Sequence, residues 1–371
     1  MIADALKRSP VADVLRPLVR RGRLARGAVQ VALAPGRGEL AGKRLPERVA
    51  DNLRWAFERG EVNDYYYLYG LHAAGSPGRE GFLSVRRMMG LIGEQVREEN
   101  AQPVVGVLQD KRLFSLVAQA LGHRSPRVLA FLDPHGVTWL SPRRRLGYDA
   151  LAETAPATDG FVKPLGGRQA RGAFALRVEP GRLVVGEDEV TASDLGGRIT
   201  ERSILQERVA QHPALAALHG PSINTIRMVT VLRDGVASPL VAALRIGVGG
   251  KPVDNWSAGG VVVGLDLDRG QLVGQGLYKP EPHAWLRSPA TPDHPDTGVP
   301  LDGYPLPFVG EAVALACQFH EDLGSLRSVG WDLAVTPDGP TVVEGNTYWN
   351  GAMFMAIDPG FKARYLKAIE A

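Results

Sequence analysis

The stretch from Gly330 to Asn346 reads Gly-Trp-Asp-Leu-Ala-Val-Thr-Pro-Asp-Gly-Pro-Thr-Val-Val-Glu-Gly-Asn, and it concentrates the side chains best suited to chemistry. Two short strands around a Pro337-Asp338-Gly339 turn are its natural fold. Folding about Asp338 places Asp332 opposite Glu344. Asn346 lies two residues further and shares that face of the strand. Three oxygen donors then meet at the open end of one hairpin. Hard oxygen donors suit Mg²⁺, which takes a few carboxylates and completes its shell with water and substrate phosphates. An ordinary hairpin with solvated acids is the competing reading.

Other segments offer matching chemistry. Lys163 ends an apolar strand and precedes a loop with Gly166, Gly167 and Gly172. A lysine before such a loop can clamp a phosphate, because glycines let backbone N–H groups approach an anion; a plain surface hairpin is the alternative. The strand Ser203–Val209 ends in Gln206, Glu207, Arg208 and Val209, whose backbone could pair with an adenine edge. Asn224 and Arg227 stand at the start of another strand, and Arg245 ends its partner. Folding about residue 236 sets Arg227 opposite Arg245. Like charges in that position need an anion or an acid between them. A triphosphate, a phosphorylated intermediate or a protein carboxylate would serve. Asp254 and Asn255 lead through Gly259 and Gly260 into a strand, and these glycines permit close approach to a ligand. Lys279, His283 and His294–Thr297 could line a substrate pocket or lie on surface loops. The sequence lacks the Ser-His-Asp order, CxxC and HExxH, so hydrolase and zinc chemistry have no support.

The elements that must position these residues follow from periodicity and turn residues. Residues 1–100 read as mostly helical, with an aromatic packing cluster at Asp64–Tyr69. A helix over Asp110–Gly122 and a short strand over Arg127–Leu132 follow. Strands at 174–178 and 183–185 flank Pro180-Gly181. Two further hairpins, 225–232 with 240–246 and 260–267 with 272–278, turn at Asp234-Gly235 and Asp268–Gly270. A long apolar helix at Val309–Leu323 precedes the Asp332–Asn346 hairpin, and a last helix closes at Pro359–Ala371. This divides the chain into a basic helical region (1–100), a segment that links to or precedes the first unit (101–158), a small α+β unit (159–210) and a larger one (211–371).

With 371 residues, 44% hydrophobic and 22% charged, the chain has the composition of a globular protein with several cores. The net charge of +3 is unevenly placed: residues 1–48 hold eleven Lys or Arg and four acids. Val11, Val14, Leu15 and Leu18 follow helical spacing, which predicts a basic amphipathic helix docked by its apolar stripe. Contact with a membrane surface or nucleic acid is the lesser reading, because no aromatic anchors accompany the charge. The single cysteine, Cys317, lies in an apolar run and reads as a buried thiol in a reducing cytoplasm. No apolar run reaches membrane-spanning length, and the first residues lack a signal-peptide core.

Taken in order, these segments resemble the ATP-grasp superfamily, and most closely its sugar-transfer-associated branch. The resemblance rests on Lys111 with its helix, Phe161–Pro164, Gln206–Val209, Asn224–Arg227, Asp254–Gly260, His294–Gly298 and Gly330–Asn346. It implies an α+β fold in which two subdomains grip ATP behind a mostly helical N-terminal region. Lys111 and Lys163 would match the phosphate-binding lysines, and Gln206–Val209 the adenine hinge. Asp332, Glu344 and Asn346 would match ligands to two magnesium ions, with Glu344 bridging them. Arg227, Arg245 and Asn255 would surround the γ-phosphate and an acyl phosphate. Asn224, Gly259, Gly260 and His294 would face the substrates. The loop Gly166–Gly172 departs from many relatives in carrying Arg168 and Arg171. The implied activity is ATP-dependent joining of a small-molecule carboxylate to an amine, in making a cell-surface sugar intermediate or a peptide-like metabolite. A kinase acting on a sugar hydroxyl is the runner-up. A nucleotide-binding protein without turnover fits poorly with so many retained site residues.

Overall fold

The computed structural model describes residues 10–33, 42–76, 78–166, 172–280 and 290–370, with side chains from residue 17 onward. The N-terminal part is helical: α1 (Pro10–Leu33), α2 (Leu45–Arg59), α3 (Val85–Val96), α4 (Gln102–Gln109) and α5 (Lys111–Ala120). Local capping sets several ends. Ser84 accepts from the Arg87 N–H at the start of α3, and Asp110 accepts from the N–H groups of Arg112 and Leu113 at the start of α5. Gly60, with φ of 71°, ends α2. Contrary to the docking stripe expected around Leu18, α1 is buried through Ala28, Val31 and Ala32, while Leu18 is exposed. Val11, Val14 and Leu15 lie outside the described side chains. The aromatic cluster packs as expected, with Tyr69 stacked on Phe82 at 4.5 Å and Tyr66 buried.

The first antiparallel sheet comprises β1 (Val128–Asp133), β2 (Gly136–Leu140), β3 (Arg143–Leu146), β4 (Thr158–Pro164), β5 (Phe174–Glu179), β6 (Arg182–Val185), β7 (Asp188–Val190) and β8 (Ser203–Glu207). Its order is β3-β2-β1-β8-β4-β5-β6-β7. Two short helices, α6 (Leu151–Thr154) and α7 (Ala192–Arg198), cover one face around a core of Leu132, Trp139, Leu151, Val162, Leu176 and Leu195. Residues 101–158 are therefore no linker. β1 to β3 belong to this sheet, while α4 and α5 pack against the other one. The sequence reading places one strand here, at 127–132; β3 is concealed by its exposed arginines at 143–145, which break the strand period.

The second sheet follows α8 (Pro213–Ala216). It comprises β9 (Thr225–Arg233), β10 (Val236–Ile246), β11 (Val261–Asp266), β12 (Gln271–Tyr278), β13 (Ala290–Thr291) and, after helix α9 (Val309–Leu323), β14 (Ser328–Thr336) and β15 (Gly339–Asn346). Its order is β13-β12-β11-β10-β9-β14-β15. Helices α10 (Gly351–Ile357) and α11 (Phe361–Ile369) end the chain. Alternation on β14 separates two faces. Trp331 stacks on Phe319 of α9 at 5.2 Å, whereas Gly330 lies under Trp349, which meets Tyr365 of α11. Asp332 shares the Gly330 face.

Two bulges set the register of this sheet. Asp332 does pair with Glu344, but not through a symmetric turn about Asp338. Thr336 pairs with Gly339, and an extra residue, Val343, restores the pairing. In the β9–β10 hairpin, Asp234 and Gly235 form a tight turn with φ of 51° and 78°. Leu240 is bulged out. Arg227 therefore faces Ala243 and Arg245 faces Thr225, so the two arginines are not opposite one another as symmetric folding predicts.

Candidate active site

Register alone assembles the centre of the site. Asp332 is the partner of Arg227 on β9 and of Glu344 on β15, so the three form one cross-strand row. Arg245 joins from the next pleat. Asp332 lies between both guanidiniums. Arg227 holds it through Nε and Nη2, the latter 3.0 Å from Oδ2, and Arg245 Nη2 lies 3.1 Å from the same oxygen. Arg245 Nε reaches Asp254 at 3.3 Å. It also donates to Thr225 Oγ1, as does Nη2, at 3.1 and 2.6 Å. The hydroxyl and backbone N–H of Thr225 both donate to Asp254. The result is a buried alternating chain, Asp254–Arg245–Asp332–Arg227. A protein carboxylate, not a bound anion, separates the two arginines. Each keeps its Nη1 out of any hydrogen bond among the described residues.

Electrostatics differ along this chain for a simple reason. Burial pushes the Asp332 carboxyl up, but two flanking guanidiniums outweigh it and hold the group below the usual carboxylate range. Asp254 has one arginine, so there burial wins and its carboxyl is raised. Thr225 and Asp254 carry no assigned role in the sequence reading, although Asp254 opens the loop that leads to Gly259 and Gly260. Thr225 shares the face of Arg227 two residues away, which was the signal available for it.

Lys163 on β4 connects the two sheets. Its pKa is lowered chiefly by burial; Glu344 opposes that shift, Lys111 adds to it and Asp332 opposes it more weakly. Lys111 of α5 and Glu344 and Asp332 of the second sheet therefore each lie within electrostatic reach of Lys163 in the first sheet. Gly166 follows β4 and is exposed, with the Glu201 carboxylate 2.9 Å from where a Cβ would stand. Gly167 and the loop arginines Arg168 and Arg171 lie outside the described residues.

The residues expected at an adenine hinge end the central strand β8. Gln206 is buried between Val128 and Phe161, its side chain donating to the Pro126 carbonyl. The N–H groups of Glu207 and Arg208 are taken by the carbonyls of Arg127 and Asp159. The Glu207 carboxylate binds Arg127, and Arg208 pairs with Asp159 at 3.5 Å. Val209, just beyond the strand, makes no backbone hydrogen bond among the described residues.

Several expected substrate residues prove structural. Asn224 is fully buried: its Nδ2 donates to the carbonyls of Leu215 and His219, and its Oδ1 accepts from Ser222 and the Gly247 N–H. Nothing of it remains for a substrate. His294 is buried, bonded through Nε2 to the Gly247 carbonyl and through Nδ1 to the Asp296 N–H. Gly259 has φ of 98°, and a Cβ on Gly260 would stand 2.7 Å from the carbonyls of Asp254 and Ile246. Both glycines are thus required by the loop's own folding. Lys279 bonds Ser257, and His283 lies outside the described residues. Asn255 differs: half-buried beside Asp254, its side chain makes no hydrogen bond among the described residues.

The donor set fits a magnesium ion that arrives with a nucleotide. Glu344 has no ion pair or hydrogen bond among the described residues. Asn346 donates only its Nδ2, 3.3 Å from the Gly330 carbonyl, which leaves Oδ1 for a metal. Asp332 Oδ1 accepts one bond and retains a lone pair. All three are hard oxygen donors on adjacent strands. Among the described residues no three His, Cys, Asp or Glu side chains form a complete cage, so phosphate oxygens and water would have to finish the shell.

Comparison with known proteins identifies the family. A family model described as sugar-transfer associated ATP-grasp matches residues 94–371. No curated protein matches the chain. Among solved structures, the chain is similar to a D-alanine–D-alanine ligase from Helicobacter pylori (11% identity, 71% of this chain, 58% of that one, TM-score 0.37). It is also similar to N5-carboxyaminoimidazole ribonucleotide synthetase from Thermotoga maritima (12%, 78% and 56%, TM-score 0.38) and to an L-amino acid ligase from Bacillus licheniformis (13%, 67% and 42%, TM-score 0.32). The chain spans roughly half the length of these proteins. With the family model covering most of its length, this chain belongs to the sugar-transfer-associated ATP-grasp family.

Proposed function

We propose that the protein is an ATP- and Mg²⁺-dependent carboxylate–amine ligase that works through an acyl phosphate, in the synthesis of a cell-surface sugar intermediate or a peptide-like metabolite. The observation that supports this reading is the cross-strand row of Arg227, Asp332 and Glu344, with Lys163 of the other sheet within electrostatic reach of both carboxylates. Such a set of side chains offers both the cations that phosphates need and the oxygen donors that their metal needs.

In this reading Lys163 and Lys111 bind the phosphates, and the partly desolvated ammonium of Lys163 gains most when an anion arrives. Glu344, Asn346 and Asp332 would hold magnesium, whose contribution is to offset charge on the transferring phosphoryl group. Arg227 and Arg245 fix the Asp332 carboxylate and present their Nη1 ends to the reacting oxygens. Asn255 orients the acceptor. A substrate carboxylate oxygen attacks the γ-phosphorus and ADP leaves. The amine nitrogen then attacks the acyl carbon, inorganic phosphate departs, and the amine proton passes to solvent. The scheme needs no protein nucleophile. The thiol of Cys317, on α9, is pushed up to about 11 by burial and lies outside this row.

The test is ADP release with pools of carboxylates and amines, followed by mass spectrometry. An amide product with one ADP and one phosphate per bond supports the ligase. A stable phosphate ester formed without any amine would replace it with the kinase reading.

A further inference from the structure

The N-terminal helical pair carries a surface that the ATP site does not use. Residues 17–23 of α1 are exposed on every side, because α1 reaches the body only through its C-terminal half around Ala28, Val31 and Ala32. A globular helix normally buries a stripe along its length. This half instead presents Leu18 and Val19, which are 59% and 50% exposed, next to Arg20, Arg21 and Arg23. The sequence offered no aromatic side chain on the helix itself. Tertiary structure supplies one. Phe57 of α2, 53% exposed, lines a groove of about 380 Å³ with Pro17, Arg20, Arg21, Leu24 and Gly60. Arg86 reaches the same end: the nearest side-chain atoms to a Cβ built on Gly60 are Arg20 Nη2 at 3.5 Å and Arg86 Nη1 at 3.7 Å. No acid lines the groove, and Arg20, Arg21 and Arg23 have no ion pair among the described residues.

From this we infer that the tip of the α1–α2 pair docks on an anionic lipid surface, with Leu18, Val19 and Phe57 entering the headgroup boundary and the arginines pairing with lipid phosphates. Charge complementarity selects this occupant. Guanidiniums held together without acids at the groove need an anionic partner, and exposed aliphatic and aromatic side chains beside them gain only where that partner also has an apolar layer. A free nucleic acid would leave Leu18 and Val19 in water. No helix among the described residues is long and apolar enough to cross a membrane, so the contact is peripheral. This inference is independent of the reaction proposed above.

The experiment is co-sedimentation of the full chain with vesicles of phosphatidylcholine alone and of phosphatidylcholine with 30% phosphatidylglycerol. Binding is expected only to the anionic vesicles and should weaken as salt rises. The double variant Arg20→Glu/Arg21→Glu should lower partitioning by roughly 25-fold or more, from the contribution of each basic residue at such a surface. Phe57→Ser should weaken binding at both low and high salt, since it removes apolar contact. Phe57→Trp should be quenched by brominated lipid more strongly than the native tryptophans. All the substituted side chains are exposed, so circular dichroism should be unchanged. Equal binding to neutral vesicles, no binding to anionic vesicles, or binding that both variants leave intact would overturn the inference. So would retention of RNA in a filter assay with no vesicle binding.

Discussion

The buried chain Asp254–Arg245–Asp332–Arg227 makes Asp332 a structural residue as well as a metal-ligand candidate, and Asp332→Asn separates the two roles. The side chains of Asp332, Arg227 and Arg245 are 7%, 11% and 9% exposed. Removing one charge from such a set leaves buried guanidiniums uncompensated, which costs about 3–5 kcal/mol. For a folding unit of 150–250 residues, about 2–4 °C is lost per kcal/mol, so the midpoint should fall by roughly 6–20 °C. Glu344→Gln touches no ion pair or hydrogen bond among the described residues and should stay within about 0.5 kcal/mol of wild type. The assay is thermal unfolding of both variants without nucleotide, repeated with saturating Mg²⁺ and ATP. Wild type should be stabilised by the ligand. Glu344→Gln should match wild type without ligand and lose most of the ligand-induced rise. Adding Arg227→Gln to Asp332→Asn should cost less than the sum of the single changes, because the two are coupled. Equal nucleotide-free stability of Asp332→Asn and Glu344→Gln would refute the reasoning. A corollary concerns alanine at Asp332: loss of turnover there reports unfolding as readily as loss of metal, so Glu344 is the cleaner probe.

Further outcomes follow from the same geometry. Lys163→Met should raise the nucleotide-free midpoint at neutral pH, because a lysine whose pKa is lowered by burial costs stability while charged; it should also abolish the ATP-induced rise. Asp332 contributes stability that is fully present above the ordinary carboxylate value of about 3.9 and is lost as pH falls through its lower folded value. Acid titration of unfolding should therefore be steeper below about pH 4 in wild type than in Asp332→Asn. Asn224→Ala strands the carbonyls of Leu215 and His219 and the Gly247 N–H, and should cost about 2–5 kcal/mol while leaving the KM for ATP unchanged in the folded fraction. A stable Asn224→Ala protein with a raised substrate KM would restore the substrate role.

Much of the fold could be read from the sequence where a local rule decides it. The helix Val309–Leu323, the Asp110 cap and the strands flanking Asp234-Gly235 follow from periodicity, capping and turn chemistry. Strand β3 was not legible, because Arg143, Arg144 and Arg145 lie on an edge whose side chains face solvent. Within one hairpin the pairing of Asp332 with Glu344 was also legible, although a bulge at Val343 rather than a turn symmetric about Asp338 produces it.

What crosses between hairpins was decided only by tertiary structure. The tight turn at Asp234-Gly235 and a one-residue bulge at Leu240 together set Arg245 opposite Thr225, where symmetric folding about residue 236 would set it opposite Arg227, and no pattern of residue types announces a bulge. The pairing of β14 with β9, more than ninety residues apart in the chain, then puts Asp332 between the arginines, so that a protein carboxylate takes the place between them that an anion would otherwise fill. Asn224 and His294 look like ligand-binding residues in sequence, but burial consumes their hydrogen bonds. In the same way, a basic helix without aromatics acquires Phe57 from its neighbour. Residue types fixed which charges and oxygen donors this protein carries; packing decided which of them are already satisfied and which remain for a ligand, because a buried polar group must be paired and only the folded chain determines with what.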